Sequence, residues 1–128
     1  MRLSTLLAPL LLAAPAAAQL PDPQVRLDRL LAGRAAGPPQ ACLPNRPNLR
    51  TEVIPGEALV YRQGGRLWIN RPAAGREWLT EASILAQATP ISSFCRGDGV
   101  QIIDRVGGFQ RGFLILGEFT PYARAPRP

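Results

Sequence analysis

The run "ALVYRQGGRLWIN", Ala58 to Asn70, constrains the fold more than any other part of the chain. Two segments rich in β-branched and aromatic residues flank Gly64-Gly65, the pattern of a hairpin with a two-residue turn. Such a turn sets the register, placing Tyr61 opposite Trp68 on one face and Val60 opposite Ile69 on the other. Apolar side chains on both faces need cover on both faces. A ribbon of this kind belongs in a small barrel or sandwich rather than in an open sheet.

The rest of the chain is punctuated in the same way. "GVQIIDRV" alternates, with Val100, Ile102 and Val106 on one side and Gln101, Ile103 and Arg105 on the other. "GGFQRG" then reads as a turn and "FLILGEF" as a continuous buried strand. "TPYARAPRP" reads as a proline-broken tail, with residues 123–128 expected to be disordered. "EWLTEASILAQATP" suits either a short strand or a helical turn around Ile84 and Leu85, ended by Pro90. "GPPQACLPNRP", Gly37 to Pro47, is dense in turn formers and reads as a loop that holds Cys42. Upstream, Asp22 followed by Pro23 is the pairing of an N-cap with proline at N1. Leu27, Leu30 and Leu31 then form one apolar stripe, and Gly33 or Gly37 supplies the stop. The expected fold is mainly β, a small antiparallel barrel or sandwich with a short N-terminal helix. Residues 19–36 are the leader and helix, and residues 37–122 the β domain.

Residues 1–18 read as a secretory signal peptide. Arg2 is the n-region, Leu3 to about Ala14 the h-region, and Ala16, Ala17 and Ala18 the cleavage site. The apolar stretch is too short and proline-broken to span a bilayer, so no transmembrane anchor is expected. A periplasmic or secreted location follows. The net charge is +6, and every one of the 15 basic residues is arginine. That balance favours anionic partners, although a coding bias toward Arg, Ala and Pro produces the same count.

Histidine is absent. The chain therefore lacks the usual general base near neutral pH and every Ser-His or Cys-His nucleophile pair. Two cysteines cannot supply the four ligands of a histidine-free structural zinc site. No nucleophile elbow, phosphate loop or dinucleotide fingerprint occurs. No catalytic residue, cofactor or metal is expected.

In an oxidising compartment two cysteines pair. A Cys42–Cys95 bond would close a loop of about 54 residues, worth about 4 kcal/mol in loop entropy. A reactive Cys95 thiol beside Arg96 is the weaker reading, for want of a CxxC or a histidine. Arg96-Gly97-Asp98 matches an adhesion tripeptide. With 15 Arg and 12 Gly in the chain, chance suffices to produce it. Gly97, Asp98 and Gly99 are turn residues in their own right: glycine permits positive φ, and the Asp98 carboxylate can cap a backbone N–H.

"FCRGDGV" and "GFLILGEFTPY", with "LVYRQGGRLWIN" upstream, resemble an uncharacterised family of small exported proteobacterial proteins, a domain of unknown function. Its members read Leu-Cys-x-Gly-Asp and, near the end, Gly-x-Cys-x-Leu-Gly-x-Phe. The resemblance covers about residues 40–122. Cys95, Gly97 and Asp98 fall on its motif, and Arg96 on a variable position. Two further cysteines of the family, near Glu77 and at Leu114, are missing here, as expected of a pair lost together. The resemblance implies no activity.

Three function classes follow. The first is a non-catalytic exported domain that binds a protein or envelope component. The second is a binder of anionic polymers, resting on Arg62, Arg66, Arg71, Arg105 and Arg111 if they share one surface. The third is a hydrolase built on carboxylates such as Asp98, Asp104 and Glu118. The first is the favoured expectation.

Overall fold

A computed structural model describes residues 9–15, 19–87 and 92–126. The elements, in chain order, are α1 (Pro23–Leu31), β1 (Arg34–Ala36), β2 (Cys42–Pro44), β3 (Arg50–Ile54), β4 (Ala58–Gln63) and β5 (Arg66–Asn70). A short 3-10 turn (Arg76–Trp78), β6 (Ser83–Ala86), β7 (Ser93–Cys95), β8 (Gly99–Asp104), β9 (Gln110–Ile115) and β10 (Phe119–Arg124) follow. A five-stranded sheet runs β1-β10-β5-β4-β3, a three-stranded sheet β6-β8-β9, and β2 pairs with β7. All these pairings are antiparallel. The sheets pack in the manner of a sandwich, not a closed barrel.

The Ala58–Asn70 hairpin sits at the centre, in the register its turn dictates. Tyr61 lies opposite Trp68 and Val60 opposite Ile69. Gly64 takes φ +59° at the first turn position, as a type II′ turn requires. Its two faces feed two separate cores. Leu59, Tyr61 and Trp68 pack with Leu43, Val100, Ile102, Leu114 and Phe119, between the sheets. Val60, Leu67 and Ile69 pack with Ile54 and with Leu27 of α1, flanked by Leu30 and Leu31. Tyr61 also stands edge-on to Phe119, with ring centroids 5.5 Å apart. Burial raises its phenol well above the usual range.

Helix α1 begins as its sequence predicts. The Asp22 carboxylate accepts from the Gln24 N–H at 2.9 Å, and Pro23 opens the first turn. Gly33, at φ +72°, reverses the chain just past the C-terminus. Arg26 fastens the helix to the sheet by pairing with Glu52 and Glu81.

Five expectations fail. The proline-rich stretch from Gly37 to Pro47 is not all loop: Cys42–Pro44 is a strand, paired residue for residue with Ser93–Cys95. Val106 does not extend the β8 alternation and is exposed. Asp104 ends that strand, because its carboxylate accepts the Val106 N–H at 2.8 Å in an Asx turn. Gln110, Arg111 and Gly112 then belong to β9 rather than to a turn.

"FLILGEF" is two strand ends around a corner at 116–118, with Phe113 exposed and Leu114, Leu116 and Phe119 buried. Finally, Thr120 to Arg124 are no tail. They form β10, inserted between β1 and β5. Pro121 halts the β1 ladder, since its carbonyl accepts from Gly37 at 2.8 Å but it has no N–H to return. The cleavage site at Ala16 to Ala18, Pro90 and the last two residues of the expected tail lie outside the described residues.

Candidate functional site

Cys42 and Cys95 are disulfide-bonded, and they are directly opposed in the β2–β7 pair. The bond anchors a β-turn at the end of β7. Asp98 donates its N–H to the Cys95 carbonyl at 3.0 Å, and its carboxylate accepts the Cys95 N–H at 2.8 Å. Gly97 occupies the third turn position at φ +90°, as a type II turn demands. The other backbone donors are also spent: Arg96 N–H goes to Ala41 at 2.7 Å and Gly97 N–H to Leu116 at 2.9 Å. Arg96 pairs with Glu118 at 2.7 Å. Arg96-Gly97-Asp98 is thus a knot joining three segments, and Gly99 opens β8 directly behind it.

The three carboxylates of the hydrolase reading are each engaged by different partners. Asp98 caps Cys95, Glu118 meets Arg96, and Asp104 accepts two bonds from Arg111, at 2.7 and 3.1 Å. The Val106 N–H and then the Arg111 guanidinium hold Asp104 below the ordinary carboxylate range, against the opposing pull of desolvation.

The five arginines named for anion binding do not form one cluster. Strand alternation sends Arg62 to the helix side of the sheet, with Val60, and Arg66 to the opposite side, with Trp68. Arg66 lines a hollow with Gln40, Arg46 and Trp68. Arg71 lines another with Glu118, Thr120 and Tyr122. Arg111 is committed to Asp104, and Arg105 lies in the exposed turn after β8.

Arg62 does belong to a cationic groove, in company the sequence did not suggest. The groove, about 500 Å³, runs between the C-terminal end of α1 and the sheet, lined by Arg29, Arg34, Arg62 and Arg124 with Leu30 and Gly33. Arg34 and Arg124 are direct cross-strand partners in the β1–β10 pair. Like charges so placed are destabilising, with Cβ atoms about 4.5–5.5 Å apart. Arg34 is fixed by donating to the Gly65 carbonyl at 2.8 Å. Arg29 projects from the last turn of α1, where its charge is favoured by the negative end of the helix dipole.

Among the described residues, Arg29, Arg34 and Arg124 pair with no carboxylate. Arg62 meets Glu52 at 3.1 Å, and Glu52 also serves Arg26. Desolvation raises the Glu52 carboxyl, but the bonds from Arg26 and Arg62 outweigh it and hold it below the ordinary range. The groove therefore carries uncompensated positive charge in a concave wall.

The sequence signal for Arg29 was its place in the last helical turn. Arg34 and Arg124 left none, because a three-residue strand such as Arg34–Ala36 has no readable period. Among the described residues no helix is long and apolar enough to cross a membrane. No protein-family model, curated protein or solved structure matches the chain.

Proposed function

We propose that the protein is an exported, non-catalytic binding domain that captures an anionic group of an envelope component in the Arg29–Arg34–Arg62–Arg124 groove. One observation carries this reading: Arg34 and Arg124 face each other across β1 and β10, and neither meets a carboxylate among the described residues. A fold gains nothing from that juxtaposition, whereas an anionic ligand would bridge it. The disulfide supports an oxidising compartment. The absence of histidine, together with carboxylates already engaged elsewhere, supports binding rather than catalysis.

Heparin chromatography tests the reading. The protein should be retained and eluted by salt, and Arg34→Gln with Arg124→Gln should elute at clearly lower salt. Arg105→Gln, outside the groove, should elute with the parent. Coelution of the double variant with the parent would overturn the assignment. Export is checked by mass spectrometry of periplasmic or secreted material, which should show a chain beginning at Gln19.

A further inference from the structure

The four groove arginines differ from an ordinary basic patch in number, in spacing and in that three of them meet no carboxylate among the described residues. A guanidinium presents its N–H donors as a planar fork that fits phosphoryl oxygens two at a time. Arg34 uses one N–H on Gly65, which orients the fork and leaves its other donors free. Arg124 stands beside it, Arg29 reaches in from α1, and Arg62 from β4. Of the four, Arg62 alone meets a carboxylate among the described residues, and it shares Glu52 with Arg26.

A single carboxylate would leave most of this charge unmatched. The helix end adds a further demand, because its dipole places partial negative charge at the groove. An anion must overcome that with several guanidinium contacts at once. A phosphoryl group carries up to about −2 at neutral pH with three acceptor oxygens, and a linked pair supplies charge and acceptors for the three arginines that meet no carboxylate among the described residues. The volume, about 500 Å³, exceeds what one such ion needs and lies in the usual range of ligand sites, about 300–1,000 Å³.

We infer that the groove is a site for a diphosphate, two linked phosphoryl units held together by Arg34, Arg124, Arg29 and Arg62. This rests on the anion-binding reading above and names its ligand chemistry. The group is either a free diphosphate ester or a diphosphoryl lipid headgroup, which share the same contacts.

Isothermal titration of the purified protein with inorganic pyrophosphate, inorganic phosphate and citrate tests it. Pyrophosphate should bind at least about tenfold more tightly than phosphate, since a second set of charge-assisted bonds is worth that or more. It should also exceed citrate, which offers comparable charge without phosphoryl geometry. Arg34→Gln and Arg124→Gln should each weaken pyrophosphate about tenfold or more. Arg124→Gln should melt at or above the parent temperature as like-charge repulsion is relieved, whereas Arg34→Gln also gives up the bond to the Gly65 carbonyl. Arg105→Gln should bind as the parent does.

Vesicles carrying a diphosphoryl glycolipid separate the two sources. Retention that free pyrophosphate displaces supports the lipid, and tight pyrophosphate binding without retention supports a soluble ester. Citrate equal to pyrophosphate would overturn the diphosphate assignment and leave anion binding standing. Failure to bind all three anions and heparin would overturn both.

Discussion

The side-chain amide of Asn70 clamps the backbone of Gly117, accepting its N–H at 2.9 Å and donating to its carbonyl at 2.8 Å. Asn70 ends β5 and is fully buried, so it acts as one extra rung of sheet at the corner between β9 and β10. A Cβ at position 117 would collide with the Arg71 carbonyl, which is why glycine stands there. Asn70→Ala leaves two backbone groups unmade, at about 1–3 kcal/mol each. Urea denaturation should show a loss in that range, and Asn70→Asp, which retains an acceptor but sets a charge against the Gly117 carbonyl, should lose at least as much.

Local chemistry was legible in the sequence, and long-range pairing was not. The Gly64-Gly65 turn sets the Tyr61–Trp68 register within a few residues, and Asp22-Pro23 starts its own helix. The disulfide followed from having two cysteines. By contrast, β10 hides in a proline-bearing stretch and becomes a strand only because β5 and β1 supply partners on either side. The groove inherits that blindness. Arg34 and Arg124 lie near opposite ends of the described chain and meet only through the β1–β10 pair.

The Cys95–Asp98 turn separates a structural from an adhesive role for Arg96-Gly97-Asp98. Asp98→Ala removes the acceptor for the Cys95 N–H and should cost about 0.5–2 kcal/mol, as loss of a cap does, with Asp98→Asn costing less. Arg96→Ala breaks only an exposed pair with Glu118 and should cost no more than about 1 kcal/mol. The expected order of melting temperatures is parent, Arg96→Ala, Asp98→Asn, Asp98→Ala, and cell attachment should be absent from all four. Equal melts would remove the capping role.

Asp104 ties stability to pH. Its carboxyl is held below the ordinary range in the folded state by the Val106 N–H and Arg111. The stabilisation is therefore complete above the unfolded value, about 3.9, and is lost as pH falls through the lower folded value. Glu52, depressed by Arg26 and Arg62, has the same sign. Melting temperature should decline as acid is added below about pH 4. Asp104→Asn should lower the melting temperature at neutral pH and flatten that decline. An Asn variant with the parent's acid profile would mean that Asp104 is not a source of it.

Trp68 is the sharpest test of the central hairpin. Only 7% of it is exposed, and it packs in the same core as Tyr61, its cross-strand partner, and Phe119. Its Nε1 is buried and meets no acceptor among the described residues. Trp68→Ala should cost about 3–5 kcal/mol, the usual price of emptying an aromatic site. Trp68→Phe removes less volume and also removes the unmatched donor, whose burial itself costs about 1–3 kcal/mol. The two effects oppose, so the Phe variant should lose clearly less than the Ala variant. Chemical denaturation of both variants measures the difference. An Ala variant within about 0.5 kcal/mol of the parent, the range of surface sites, would place the indole outside the core and undo the two-faced packing of the hairpin.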